Sequence, residues 1–150
     1  MKITSRIYQL LIRIINSLPS KIQIFIFKAI KLSKIPNSKF YKDLRYKGIV
    51  KVHCESSNFY IEAYGGTIEN ALFWKGIDQS LEPETIWMFK WLILNNKVKH
   101  IYDIGANTGL YSLLSYCVND NLIITAFEPS KNTFKKLIKN IDSNDFKIKT

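Results

Sequence analysis

The chain has 150 residues, of which 47% are hydrophobic and 23% charged, and its net charge is +10. This length and composition are typical of a globular domain with a core and exclude a disordered chain. We interpret the charge as a lysine-rich surface with lysines scattered along the chain and expect no nucleic-acid partner, because no arginine-rich or RNA-binding motif accompanies it.

The first 32 residues are predicted to form two amphipathic helices, separated at Pro19 and Ser20. The apolar residues at helical spacing in the first helix are Ile3, Ile7, Leu10, Ile14 and Leu18, with Leu11 and Ile15 beside them. The uncharged stretches are far shorter than the roughly 18 residues of a membrane span, and no signal-peptide cleavage site is evident. Two interpretations stay open. We favour packing on the rest of the protein or on a second subunit over peripheral membrane contact through residues 1–32.

Residues 35–47 are polar and basic, with Pro36, Asn37 and Ser38 among them, and are predicted to be a linker that completes an N-terminal extension of residues 1–47. Two alternating segments, 49–54 and 59–64, then predict an antiparallel hairpin joined at residues 56–58. Gly65-Gly66 ends it, and the hairpin region spans residues 48–75. A third region, residues 76–150, contains the remaining motifs.

The tryptophans and cysteines are expected to have structural rather than functional roles. Trp87 and Trp91 are one helical turn apart, and we expect them in the core rather than stacked on a ligand. Cys54 and Cys117 lack the spacing of a metal or disulfide site, so we expect two buried reduced thiols and no metal.

Residues 103–109, DIGANTG, follow a short apolar run and precede a helix-like run over 110–118. A strand, a glycine-bearing turn and a helix in this order are typical of a nucleotide-binding corner. Gly105 and Gly109 permit a tight turn and close approach of a ligand, while the helix start offers free N–H groups to an anion. Asp103 disfavours a phosphate and favours a ligand with an amine. S-adenosylmethionine carries both a carboxylate and an ammonium group.

Residues 122–127 are β-branched and apolar, which predicts a buried parallel strand that ends in Glu128-Pro129-Ser130. Glu128 lies 19 residues after Gly109, where an acid can accept hydrogen bonds from both ribose hydroxyls. Ser130 is predicted to cap a following helix. The apolar face of that helix consists of Phe134, Leu137, Ile138 and Ile141.

These motifs together resemble the FkbM family of S-adenosylmethionine-dependent methyltransferases. The resemblance rests on residues 103–112 (DIGANTGLYS), residues 126–130 (AFEPS), Leu137 to Asn140 with Asn144, and the upstream Glu82-Pro83-Glu84. It covers about residues 76–150. It implies an α/β, Rossmann-like class I methyltransferase fold, S-adenosylmethionine as cofactor, and O-methylation of a sugar or other hydroxyl, on a small molecule or a glycan.

The cofactor is expected to lie on one cluster of residues at this corner. The turn formed by Gly105, Ala106, Asn107 and Gly109 would lie beneath the methionine end of the cofactor. Asp103 would bind its ammonium group and Glu128 its ribose. Pro129 would pack near the adenine, and Glu84 would close over the ligand. The alternative for both strand-end acids is that each caps a neighbouring helix. A NAD-dependent dehydrogenase is disfavoured because Asn107 and Leu110 occupy the later glycine positions of its fingerprint.

The predicted third strand, residues 146–149, is the last element, whereas a doubly wound methyltransferase sheet has roughly seven strands. We therefore expect only the first half of such a sheet, with an unpaired edge and a bare apolar face, and no catalytic base can be named. The expected location is cytoplasmic, with the inner membrane face as an alternative site, and a homo-oligomer stays open. The alternative function is a truncated, inactive remnant or a membrane-surface binding module.

Overall fold

The computed structural model describes residues 2–33, 40–55, 57–80 and 82–150 of a mixed α/β protein. Residues 35–39 of the predicted linker, Ser56 of the predicted hairpin turn and the side chain of Ile3 lie outside the described residues. The described strands form two separate small sheets, one antiparallel and one parallel. The antiparallel sheet comes first in the chain, after the N-terminal helices.

Two helices, α1 (Lys2–Ser17) and α2 (Ser20–Leu32), open the chain and confirm the predicted helical pair. Pro19 stands at the N-cap of α2, where its missing N–H costs no helical hydrogen bond. Most of the predicted apolar face of α1 does not pack on the rest of the chain: Ile7, Leu10 and Ile14 are exposed, whereas Ile15 packs against the core and Ile12 is buried. Apolar residues occupy more than half of the circumference of α1, so their spacing alone does not decide which side packs.

The predicted hairpin is confirmed as β1 (Lys47–Cys54) and β2 (Ser57–Tyr64), paired antiparallel. Val50 lies opposite Ile61 and Val52 opposite Phe59, and these four side chains are buried on one face of the hairpin. Period-2 alternation thus places the apolar residues on the side that packs. Helix α4 (Thr67–Lys75) follows directly and contacts both strands.

The stretch before β1 is not the linker that its polar composition predicts. A short helix, α3 (Phe40–Asp43), is followed by Leu44 and Tyr46, both fully buried. The Tyr46 ring stacks on Phe73 of α4 at 3.7 Å between centroids, and the Trp74 indole N–H donates to the Leu44 carbonyl at 3.2 Å. Only two buried residues of its described part, Leu44 and Tyr46, hold this short segment against α4. Two residues are too few to produce a periodic pattern in the sequence.

Helix α5 (Pro83–Asn95) corrects the expectation for its two tryptophans. Trp87 is 68% exposed and Trp91 48% exposed, while Ile86 and Ile93 are buried. Successive helical residues point about 100° apart, so a face built on Ile86 and Ile93 turns the tryptophans away from the core. Their spacing correctly places them on one side of the helix, but that side is the exposed one.

The parallel sheet contains β3 (His100–Ile104), β4 (Ile123–Phe127) and β5 (Ile148–Lys149), in that order across the sheet. Helix α6 (Leu110–Val118) connects β3 to β4, and α7 (Lys131–Asp142) connects β4 to β5. The predicted order of strands and helices is confirmed. The last strand is shorter than predicted, since Phe146 stacks instead on the ring of Tyr116.

The hairpin packs on α6 and α7, which together cover one face of the parallel sheet. The other face is bare among the described residues, as predicted. Its exposed side chains include Tyr102, Ile123, Phe127 and Ile104, the last of which is 83% exposed. The core therefore lies on one side of the sheet only.

The two cysteines meet where the hairpin packs on α6. The Cys117 thiol donates to the carbonyl oxygen of Cys54 at 3.9 Å, and both cysteines are free. Burial, together with the neighbouring Cys117, raises the pKa of Cys54 to about 12. Cys54 is therefore protonated and unreactive at neutral pH.

Candidate functional site

The glycine-bearing turn lies at the carboxyl edge of the parallel sheet. In the β3–β4 pairing, Asp103 stands beside Ala126 and Ile104 beside Phe127, so both strands end at the same level. The amides of Gly105 and Ala106 then both donate to the carbonyl oxygen of Phe127, at 2.8 and 2.9 Å. These bonds fold the turn back over the end of β4 and bring it against Glu128.

The two glycines of the turn serve different purposes, although both have a left-handed φ, +80° at Gly105 and +96° at Gly109. A Cβ at Gly105 would meet no atom of the described residues within 4 Å. A Cβ at Gly109 would lie 2.7 Å from Cδ1 of Leu137 on α7. Gly105 therefore leaves open space for a ligand, and Gly109 permits close packing of α7.

Asp103 uses one carboxylate oxygen to cap α6. Its Oδ2 accepts hydrogen bonds from the backbone N–H of Ser112 at 3.1 Å and from the Ser112 hydroxyl at 2.6 Å. This contact is the helix-capping alternative that the sequence left open. The other oxygen, Oδ1, has no hydrogen-bond partner in the described part of the chain, so it is free to accept one from a ligand.

Glu128 connects the turn to the start of α7. Its Oε2 accepts from the backbone N–H of Asn107 at 2.9 Å, and its Oε1 accepts from the backbone N–H of Ser130 at 2.8 Å. Ser130 stands at the N-cap position as predicted, although its side chain makes no capping bond. Each oxygen of a carboxylate has a second acceptor site, so Glu128 can still bind two hydroxyl groups.

Two neighbouring hollows adjoin these carboxylates, and Ile104 lines both. The first measures about 450 Å³ and is lined by Ile104, Gly105, Ala126, Phe127, Glu128, Pro129, Phe134 and Thr150. The second, about 370 Å³, is lined by Phe89, Ile101, Tyr102, Asp103, Ile104 and Tyr111. Both volumes fall within the range of small-molecule sites. The structure thus places Asp103, Gly105, Glu128 and Pro129 along one edge of the sheet.

The other predicted residues lie apart from these two hollows. Ala106 is buried, and Asn107 lines a third hollow, of about 480 Å³, together with residues 64–69 and α7. Glu84 is exposed on α5 and lines a hollow with Pro83, Trp87 and Met88, which contains none of the other predicted residues.

A different acid, Glu82, approaches the start of α6. It accepts a hydrogen bond from the Tyr111 hydroxyl at 3.1 Å. Burial, together with this bond, raises the pKa of Tyr111 to about 12. Tyr111 therefore stays protonated at neutral pH. Its single O–H is already donated to Glu82, so it offers the second hollow only an oxygen that can accept a hydrogen bond.

Sequence reasoning missed the buried polar residues that support the turn from behind. The Thr108 hydroxyl donates to Oε1 of the buried Glu69 at 2.6 Å. The side-chain amide of Asn140 donates to the Thr108 carbonyl at 2.8 Å, and its oxygen accepts from the backbone N–H of Glu62 on β2 at 2.9 Å. The available signal was the spacing of Asn140 and Asn144, which places both on one face of α7.

Comparison with protein-family models, curated proteins and solved structures finds no match to this chain. In the described ranges, no group of three or more His, Cys, Asp or Glu side chains is placed to hold a metal ion. None of the described helices has the length and hydrophobicity needed to cross a membrane.

Proposed function

We propose that this chain binds S-adenosylmethionine and belongs to a methyltransferase of the FkbM type, which transfers a methyl group to a hydroxyl of a sugar or another small-molecule or glycan acceptor. The proposal is supported by the order of β3, β4 and β5, with α6 and α7 as connections, which is the order expected for the first three strands of a Rossmann-like class I sheet. The donor site would lie at the carboxyl edge of these strands, where such sheets bind their ligands.

One observation carries the proposal: the bare backbone at Gly105 lies between two strand-end carboxylates that each retain capacity to accept hydrogen bonds. Oδ1 of Asp103 suits the ammonium of the methionine part, and Glu128 suits the ribose diol. The larger hollow suits the adenine, because Phe127, Pro129 and Phe134 line it. A dehydrogenase is disfavoured, since Asp103 would repel a pyrophosphate.

S-adenosylmethionine supplies an electrophilic methyl group on its sulfonium sulfur when bound. The contribution of this chain would be to hold and orient that donor and to exclude water from the hollow beside Gly105. The Tyr111 oxygen can accept a hydrogen bond from a ligand in the second hollow, because its single O–H is donated to Glu82. Its raised pKa excludes it as a general base at neutral pH. We assign no general base.

The decisive test is calorimetric titration of the protein and of Asp103→Asn with S-adenosylmethionine. An asparagine can keep an oxygen on Ser112, so the helix cap survives, but it replaces the free Oδ1 by an amide that cannot accept from an ammonium. We expect affinity for S-adenosylmethionine to fall about tenfold or more, the usual effect of losing a hydrogen bond to a charged group. Affinity for methylthioadenosine, which lacks the amino-acid part, should be unchanged.

Matched variants separate binding from stability. Ser112→Ala removes the hydroxyl bond to Oδ2 but keeps the backbone bond and does not affect Oδ1, so it should lower the unfolding midpoint and leave affinity nearly unchanged. Glu128→Gln should weaken the binding of both S-adenosylmethionine and methylthioadenosine, because both contain the ribose. Glu84→Gln should alter neither affinity, given its separate hollow. Absence of S-adenosylmethionine binding by the folded protein, or preferential binding of NAD, would refute the proposal.

A further inference from the structure

We propose that α1 and α2 dock this protein onto an anionic phospholipid surface. The starting observation is that the positive charge is not scattered, as the sequence analysis expected, but concentrated at one end. Residues 1–42 contain nine lysine and arginine residues and no acid, whereas residues 43–150 contain thirteen such cations against twelve acids. Almost the entire net charge of +10 therefore belongs to the N-terminal helical region. This inference is independent of the proposed methyl transfer.

Helix α1 presents an apolar stripe to the exterior. Ile7, Leu10, Leu11 and Ile14 recur at intervals of three and four residues and are all exposed, Leu10 by 59%. Arg6 and Arg13, also exposed, are seven residues apart, which places both along one flank of this stripe. The opposite flank is the side that packs, through Ile12 and through Tyr8, whose hydroxyl donates to Asp43.

Helix α2 repeats this arrangement. Its exposed apolar residues are Ile22, Phe25 and Leu32, and Phe25 is 74% exposed. Lys21 and Lys28, again exposed and seven residues apart, lie along one flank of the stripe. The core contact is made by Phe27 on the opposite side. Lys31 is also exposed, and its Nζ lies 4.9 Å from the centroid of the Phe73 ring.

The positive charge beside both apolar stripes indicates which partner this surface binds. A second copy of the chain would bring two strongly cationic surfaces together, which opposes self-association through these stripes. A bilayer with anionic lipids offers apolar chains to the stripes and phosphates to the flanking cations at the same time. An apolar stripe bordered by lysine and arginine is the pattern of a helix that lies in the membrane interface, and neither helix has the length and hydrophobicity to span it.

The test is co-sedimentation of the full chain with vesicles of phosphatidylcholine alone and with about 30% phosphatidylserine. We expect strong partition to the anionic vesicles only, and weaker binding at high salt. Arg6→Gln combined with Arg13→Gln should lower the partition coefficient about thirtyfold, the effect of two cations near an anionic surface. Leu10→Ser combined with Phe25→Ser should lower it at least as much, since both side chains would enter the interface.

The controls change exposed apolar and cationic residues on other parts of the protein. Leu94→Ser on α5, and Lys97→Gln combined with Lys99→Gln before β3, should leave partition unchanged. Circular dichroism should show unaltered helix content in every variant, because all the substituted residues are exposed. Equal binding by control and helix variants, or no binding to anionic vesicles, would overturn the proposal. So would a lipid-free dimer that Leu10→Ser and Phe25→Ser convert to monomer.

Discussion

Gly109→Ala is expected to lower the free energy of unfolding by about 3 kcal/mol or more. Two costs add up in this value: backbone strain at a left-handed φ and overpacking by the new methyl group. The backbone at Gly109 has φ +96°, which an alanine adopts only with strain. The new Cβ would also lie 2.7 Å from Cδ1 of Leu137, a side chain that is fully buried and cannot move aside without disturbing α7. Urea unfolding followed by circular dichroism measures the difference.

Gly105→Ala is the matched control, because it has a similar φ of +80° but no described atom within 4 Å of its Cβ. Backbone strain alone should cost about 1–2 kcal/mol there. The same variant should abolish detectable binding of S-adenosylmethionine, since its methyl group would occupy the space above the turn that we assign to the ligand. Equal destabilisation by the two substitutions would show that the contact with Leu137 is unimportant.

Asn140→Ala is expected to destabilise the protein by about 2–4 kcal/mol, because it leaves the buried carbonyl of Thr108 and the partly buried N–H of Glu62 without partners. The side chain is 1% exposed and connects the backbone N–H of Glu62 on β2 with the carbonyl of Thr108 in the turn. No water can replace an amide that is this deeply buried without reorganising the contact between the hairpin and α7. The loss should appear in thermal unfolding as a lower midpoint with cooperative behaviour retained.

Asn144→Ala provides the comparison one helical turn later. Asn144 also bonds β2, donating to the carbonyl of Tyr60 and accepting from its N–H, both at 2.7 Å. Those groups are accessible to water, so their loss should cost only about 1 kcal/mol. If both asparagine variants were equally destabilising, burial would not be the property that makes Asn140 important.

Much of the local structure could be predicted because its causes are local. The positive-φ glycines, the apolar run of β4 and the periodicity of α7 each depend on residues within one or two turns of one another. The hairpin was predictable for the same reason, since alternation over eight residues fixes which side chains share a face. The closeness of Asp103 to Glu128 also followed from sequence, because neighbouring parallel strands end at the same edge.

By itself, the sequence determined the N-terminal helical pair, the hairpin, the alternating strands and helices of residues 100–149 and the glycine-bearing turn, but not α3 or α4. Only the tertiary structure decided which side of each amphipathic element is buried. Trp87 and Leu10 are exposed, while Leu44 from a polar stretch is fully buried. The physical reason is that periodicity defines a face, but burial depends on which partner that face meets. That partner is brought close by distant parts of the chain, as Asn140 is brought to Glu62.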